Sequence, residues 1–131
     1  MKEICIVIVD DEPDILDLLT QELSEKDERF NIFSSTSGYE ALNILRNNKI
    51  DILITDIAMP DMDGYELYKR TKELFQDMPI IMMTGFGYDP KHVMVNAKKS
   101  GLREVILKPF ETEILYEKII RELNTSASEG E

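Results

Sequence analysis

Five short apolar runs, each followed by turn residues and then by apolar residues at helical spacing, restrict the fold of this chain more than any other feature. The runs lie at 4–9, 30–34, 51–56, 80–84 and 105–107. The first reads Ile-Cys-Ile-Val-Ile-Val, and such continuous hydrophobicity is typical of a strand covered on both faces in a parallel sheet. The second run is the weakest and contains Asn and Ser, which favours a position at the edge of the sheet.

Five helical segments follow these strands in turn. Pro13 is well placed as a first helical residue, Ser37 has a Glu three positions later as in a capping box, and Asp63 is a suitable N-cap. The helices are predicted at about 13–25, 38–47, 64–75, 90–99 and 111–123. Strict alternation predicts an α/β fold, a three-layer sandwich with a five-stranded parallel sheet and five helices. Right-handed crossovers then favour the flavodoxin-like strand order 2-1-3-4-5.

Length and charge limit the classes of function. A chain of 131 residues fits one domain, predicted at 1–123, with a polar tail at 124–131 that we expect to be disordered. Its 26 acidic and 15 basic residues give a net charge of -11, which argues against direct nucleic-acid binding through phosphate contacts. A lone cysteine, Cys5, and the lack of a bilayer-spanning or signal-peptide segment predict a cytoplasmic protein without membrane insertion.

Acidic side chains follow two strands that the predicted order makes neighbours. Asp10 and Asp11 come after the first strand, and Asp56 ends the third. Because the carboxyl ends of parallel strands meet at one edge, these three carboxylates should converge. They would repel one another unless a cation lies among them or a proton is shared. Oxygen ligands of this kind suit Mg²⁺ or Mn²⁺ rather than Zn²⁺, for which the sequence has no Cys/His spacing.

Two further groups are predicted at the same edge. Thr84 ends the fourth strand and Lys108 follows the fifth. A metal ion, an ammonium and a hydroxyl together match what the oxygens of a phosphoryl group require. Asp56 is then a candidate nucleophile that would form an aspartyl phosphate.

Four motifs, in order and over residues 3–123, resemble the receiver domain of two-component response regulators. The motifs are Val9-Asp10-Asp11-Glu12-Pro13, Thr55-Asp56-Ile57-Ala58-Met59-Pro60-Asp61-Met62-Asp63-Gly64, Met83-Thr84 and Lys108-Pro109-Phe110. Any one of them would be weak, but four together at the right spacing are specific. The resemblance implies a two-component phosphorelay switch rather than an enzyme in the usual sense, although the domain would assist its own phosphorylation and dephosphorylation.

The resemblance also assigns roles to residues at the predicted site. It implies that Asp56 is the phosphoacceptor, which takes a phosphoryl group from the His of a sensor histidine kinase or a phosphotransfer protein. Thr84 would form a hydrogen bond to the phosphoryl group, and Lys108 would pair with the acids and then with phosphoryl oxygens. The Lys108-Pro109 bond resembles the cis peptide of the family.

For the metal, the resemblance implies Mg²⁺ or Mn²⁺ held by Asp11, Asp56 and the backbone carbonyl of Ala58. Asp10 would act mainly through metal-bound water. Phosphorylation would change the face made by the fourth helix, the fifth strand and the fifth helix, where a downstream partner would bind. We expect a monomer or a weak dimer that depends on phosphorylation.

The sequence departs from the family pattern at two places, and alternatives stay open. Val105 stands where an aromatic residue usually accompanies the movement of the Thr, and Gly85-Phe86-Gly87 begins where Ala is usual. Alternatives are a receiver cut from a hybrid sensor histidine kinase and a degenerate receiver that binds partners without phosphorylation. A haloacid-dehalogenase phosphatase would need Asp at position 58, and a flavodoxin would need a Ser/Thr/Gly-rich loop after the first strand.

Overall fold

The computed structural model describes residues 2–85 and 104–129. Its strands are β1 Ile4–Val9, β2 Phe30–Ser35, β3 Ile52–Asp56, β4 Ile80–Thr84 and β5 Glu104–Leu107. Its helices are α1 Pro13–Lys26, α2 Gly38–Asn47, α3 Gly64–Leu74 and α4 Thr112–Glu129. The described residues thus contain four of the five predicted helices. The helix predicted at 90–99 lies outside them, together with Phe86 and Gly87.

The five strands form one parallel sheet in the order β2-β1-β3-β4-β5, which confirms the predicted topology. Val9 pairs with Thr55 across the two central strands. Asp10 and Asp56, the next residue on each strand, therefore leave the sheet side by side. Thr84 pairs with Leu107 at the same edge, so Lys108 leaves the sheet directly after that pair.

Alternate residues of the central strands enter two separate apolar layers. Val7 and Val9 face one layer, whereas Ile6 and Ile8 face the other. The helices add Leu42, Leu45 and Leu67 to the first layer and Leu19, Leu23, Leu115 and Ile119 to the second. Burying each such side chain contributes about 1.5–3 kcal/mol. The sheet is therefore covered by α2 and α3 on one face and by α1 and α4 on the other, as the three-layer prediction requires.

Helix α3 begins directly against the end of β3. A Cβ atom on Gly64 would lie 2.5 Å from the backbone oxygen of Asp56 and 2.8 Å from the Cα of Ile57. Only glycine allows this approach, and the Gly64 N–H donates to the Ile57 carbonyl at 2.8 Å. Asp63 caps the helix, accepting from the backbone N–H of Glu66 at 2.9 Å, as predicted. The connection between β3 and α3 is consequently short and closed.

Helix α4 extends to Glu129, beyond the end near Leu123 that the apolar spacing predicts. In the structure the backbone of residues 124–129 continues the helix, and the disorder expected for the tail at 124–131 stays a prediction. The segment has no Gly or Pro before Gly130, so nothing in it stops a helix. Tyr68 of α3 is 7% exposed and belongs to the core layer of α2 and α3. No helix in the described ranges combines the length and hydrophobicity needed to cross a membrane.

Candidate functional site

Three carboxylates meet at the carboxyl edge of the sheet. Asp10 is fully buried at the end of β1, Asp56 is 5% exposed at the end of β3, and Asp11 is exposed to solvent. One oxygen from each lies within 4.8 Å of the others. The Asp10 side chain also accepts the backbone N–H of Glu12 at 3.0 Å, which fixes its orientation. The structure thus brings together the three acids that the strand order predicts to be neighbours.

Lys108 lies between two of these acids. Its Nζ is 2.5 Å from Oδ2 of Asp10 and 3.2 Å from Oδ2 of Asp56, and its side chain is 15% exposed. Its backbone N–H donates to the carbonyl of Thr84 at 2.6 Å, which extends the pairing of β4 and β5 by one residue. The Lys108–Pro109 peptide bond is cis, as the resemblance implies.

Burial and the contacts between Lys108 and the acids act in opposite directions on the pKa values of Asp56 and Lys108. Burial raises the pKa of Asp56 above its ordinary value, and the charge of Asp10 adds to that effect, while the ammonium of Lys108 partly offsets both. Burial by itself would lower the pKa of Lys108, but the hydrogen bond and charge of Asp10 and the contact with Asp56 outweigh it and raise that pKa. Lys108 is therefore held as a cation.

The donor set fits a hard divalent cation. Three carboxylates and one ammonium leave two formal negative charges in the cluster when all the acids are ionised. Every side-chain ligand is an oxygen, and the exposure of Asp11 leaves room for water, as Mg²⁺ requires. Ala58 is exposed beside the cluster, and its backbone N–H donates weakly to Oδ1 of Asp56 at 3.4 Å.

Thr84 brings an unused hydroxyl to the same edge. It is 2% exposed, and its Oγ1 has no hydrogen-bond partner among the residues that the structure describes. Its neighbour Met83 pairs with Asp56, so Thr84 lies one residue beyond the position opposite Asp56. A buried hydroxyl without a partner is costly, and it gains a hydrogen bond when an acceptor arrives at the site.

A cleft of about 530 Å³ opens over the site and has one acidic and one apolar wall. The apolar wall consists of Ile15, Leu18, Pro109 and Phe110. Leu18 is 55% exposed, although helical spacing predicts it in the apolar stripe of α1. The spacing of Leu16, Leu19 and Leu23 already accounts for the buried face. Helix α1 therefore has more apolar residues than its buried face requires. This excess is the sequence signal that could have predicted the apolar wall.

Comparison with known proteins identifies the family. The sequence pattern of the response regulator receiver domain matches residues 6–120, which include all five strands from Ile6 onward. The chain belongs to the response regulator receiver family. Members of this family are signalling domains of two-component systems rather than classical enzymes.

Relatives of this receiver domain differ in overall length. The chemotaxis protein CheY homolog of Campylobacter jejuni is 39% identical over 102 residues, which are 76% of this chain and 77% of that protein. The transcriptional regulatory protein GlrR of Escherichia coli is 33% identical over 122 residues, which are 93% of this chain. The chain spans only 27% of GlrR.

A solved structure agrees with the fold of the domain. The response regulator receiver domain protein (CheY-like) from Methanospirillum hungatei JF-1 has a TM-score of 0.88 and 30% sequence identity. The similarity covers 98% of this chain and 99% of that one.

Proposed function

We propose that this receiver domain is a phosphorylation-controlled switch in which Asp56 accepts a phosphoryl group from the histidine of a kinase or phosphotransfer protein. The observation that carries the proposal is the contact of Lys108 with two carboxylates of an acidic cluster whose oxygens lie within 4.8 Å. A carboxylate oxygen of Asp56 attacks phosphorus, an O–P bond forms, and the P–N bond to histidine breaks. The imidazole leaves as the neutral ring after it takes a proton.

The metal ligands in this proposal are the side chains of Asp10, Asp11 and Asp56 and the backbone carbonyl of Ala58, with Asp10 acting mainly through water. Mg²⁺ or Mn²⁺ supplies positive charge that balances the phosphoryl oxygens as they approach the acids. The two excess negative charges of the cluster support this assignment. The exposed Asp11 keeps one side of the site open to water and to the incoming group.

Lys108 and Thr84 complete the recognition of the phosphoryl group. The Lys108 ammonium, already held among the acids, transfers its contact from Asp56 to a phosphoryl oxygen. The Thr84 hydroxyl donates to a second oxygen, and a charge-assisted hydrogen bond of this kind contributes roughly 1.5–3 kcal/mol. Moving an equilibrium from 1:99 to 99:1 takes about 5.5 kcal/mol. The two residues and the metal therefore have to act together to change the conformation.

The apolar wall of the cleft is the proposed docking surface for the phosphodonor. A donor histidine reaches Asp56 only if its protein covers the adjacent surface, and Leu18 presents a large exposed apolar side chain there.

The proposed surface for the downstream partner consists of three elements. They are the helix predicted at 90–99, β5, and α4, which corresponds to the fifth predicted helix. On the described part of that face, Leu107 is 52% exposed and Ile114 is 44% exposed.

The remaining features of the proposal follow from charge and family. We propose a cytoplasmic domain, a monomer or a weak dimer that depends on phosphorylation, with no direct contact to nucleic acid. Val105 is half-buried and packs against the core layer of α2 and α3, and it has no aromatic ring to accompany a movement of Thr84. A degenerate receiver that acts without phosphorylation would have no use for the complete set of Asp11, Asp56, Thr84 and Lys108.

Intact-mass analysis after incubation with acetyl phosphate and Mg²⁺ tests the proposed function. The wild-type protein should gain one phosphoryl group, EDTA should prevent the gain, and Asp56→Asn should abolish it. Asp77→Asn, which changes an exposed acid before the start of β4, is the matched control and should be labelled like the wild type. An unlabelled wild type, or labelling that persists in Asp56→Asn, would contradict the proposal.

A further inference from the structure

The loop at 57–63, between β3 and α3, is tied to the start of α2 by hydrogen bonds that the proposed phosphoryl chemistry does not use. Oδ2 of Asp61 accepts the hydroxyl of Ser37 at 2.6 Å and the backbone N–H of Tyr39 at 3.5 Å. The hydrogen bond from Ser37 is the main reason that the pKa of Asp61 lies below its ordinary value. Asp61 is exposed, so burial does not force this side chain into place.

The same series of hydrogen bonds continues to the backbone of Asp10. The Ser37 N–H donates to Oγ of Ser35 at 3.1 Å, and the Ser35 hydroxyl donates to the carbonyl of Ser37 at 2.8 Å. The carbonyl of Ser35 accepts the N–H of Asp10 at 3.1 Å. Ser35 is 3% exposed, so these bonds are shielded from water. Asp61 is thus connected, through two serines, to the first acid of the site.

Packing holds both ends of the loop and the two neighbours of Ala58, while hydrogen bonds hold its exposed part. Met62 is 5% exposed and lies against Gly38, where an added Cβ would be 2.9 Å from the Met62 Cβ. Gly64 fixes the end of the loop against Asp56. Ala58 is exposed but lies between two buried residues, Ile57 and Met59, whereas Pro60 and Asp61 form an exposed stretch. Asp61 joins this stretch to the start of α2.

We propose that Asp61 is a positioning residue: through Ser37 and Ser35 it fixes the loop of Ala58 relative to Asp10 and so keeps the ligands within reach of one divalent cation. The proposal rests on the proposed function, and Asp61 itself touches no reacting atom. Removing a group that bonds directly to a metal ligand typically lowers metal affinity about 10–100-fold. Because Asp61 acts through a loop, we expect about a threefold to tenfold effect.

Isothermal titration calorimetry with MgCl₂ tests this role on the full chain. Asp61→Ala should weaken Mg²⁺ binding by about threefold to tenfold, whereas Asp61→Asn retains an acceptor for Ser37 and should stay within about twofold of the wild type. Asp77→Ala removes an exposed acid elsewhere and should change nothing. At saturating Mg²⁺, labelling of Asp61→Ala by acetyl phosphate should return to the wild-type rate. If Asp61→Ala disrupted the structure in general, its labelling would stay slower than that of the wild type at saturating Mg²⁺.

Combining Asp61→Ala with Ser37→Ala shows whether the two residues act as one unit. The double variant should bind Mg²⁺ no more weakly than the worse single variant, while additive losses would overturn the connection through Ser37. Ser37→Ala also removes the cap of α2, so if that variant does not fold, the comparison of Asp61→Ala with Asp61→Asn decides. If Asp61→Ala binds Mg²⁺ with wild-type affinity, the positioning role is wrong but the proposed function is unaffected. A wild type that neither binds Mg²⁺ nor labels at Asp56 overturns the proposed function instead.

Discussion

Replacing Lys108 with Met would leave two buried carboxylates without the ammonium that they share. Its Nζ lies 2.5 Å from Asp10 and 3.2 Å from Asp56, whose side chains are 0% and 7% exposed. Removing one partner from a buried ion pair costs about 3–5 kcal/mol. Because the Lys108 side chain is 15% exposed, we take the lower end of this range. We expect the free energy of unfolding in EDTA to fall by about 3 kcal/mol. In a chain of this size that loss lowers Tm by about 10 °C.

Urea unfolding in EDTA and again in excess Mg²⁺ measures this effect. A cation placed among the same carboxylates replaces the missing ammonium, so Mg²⁺ should restore most of the stability of Lys108→Met. At a free concentration ten times Kd, binding to the wild type alone adds about 1.4 kcal/mol. The variant should gain about twice as much, because the metal also relieves repulsion that Lys108 no longer offsets.

Lys118→Met provides the matched control for this experiment. Its Nζ lies 2.8 Å from Oε2 of Glu104, and the two side chains are 21% and 15% exposed, but the pair is remote from the acidic cluster. We expect a loss of about 1 kcal/mol and a response to Mg²⁺ equal to that of the wild type. If Lys108→Met is as stable as the wild type in EDTA, or if Mg²⁺ stabilises the two Met variants equally, Lys108 does not offset the repulsion between the buried acids.

Three further measurements test the packing and charge described above. Gly64→Ala should lower the free energy of unfolding in urea by about 1–3 kcal/mol because its Cβ would meet the Asp56 backbone oxygen at 2.5 Å, whereas Gly85→Ala, with its nearest contact at 3.6 Å, should be nearly neutral. In metal-free protein the raised pKa of Asp56 means that the native state binds a proton which the unfolded chain, with an Asp pKa of about 3.9, has released. The stability that Asp56 contributes should therefore rise as the pH falls from above its raised native pKa towards the unfolded value of about 3.9. The difference between the pH–stability curves of the wild type and Asp56→Asn measures this rise. A difference that does not change with pH would refute the raised pKa of Asp56. Tyr116→Phe removes the 3.0 Å hydrogen bond to Asp27 but keeps the ring against Phe30. Thermal unfolding should show that the free energy of unfolding falls by about 1 kcal/mol. An unchanged free energy of unfolding would mean that this hydrogen bond makes no net contribution to stability.

The sheet and the convergence of the acids could be predicted from sequence because both depend on short-range patterns and on topology. Each apolar run stops at a polar or charged residue, which sets the strand ends within about one residue. Once the crossovers are right-handed, the strand order follows, and Asp10 and Asp56 must be neighbours whatever their rotamers. The family comparison agrees with this architecture.

Side-chain geometry lay beyond the reach of the sequence. Nothing in the spacing indicates that Lys108 lies nearer to Asp10 than to Asp56, since rotamers decide it. Leu18 follows the helical period as well as its buried neighbours do, so exposure could be assigned only once α1 was placed on the sheet. The bond between Asp61 and Ser37 joins residues 24 positions apart and depends on how α2 meets the loop.

The position of Lys108 also governs when the site comes into existence during synthesis. Lys108 is 98 residues after Asp10, and its ammonium reaches the acids only when β5 has paired with β4. A ribosome makes all three acids first, so an emerging chain that ends after β4 has the acids but not the lysine that contacts Asp10 and Asp56. Such a chain lacks a finished acceptor under the proposed chemistry. A phosphodonor would therefore charge only completed domains, and premature termination products would not compete for the signal.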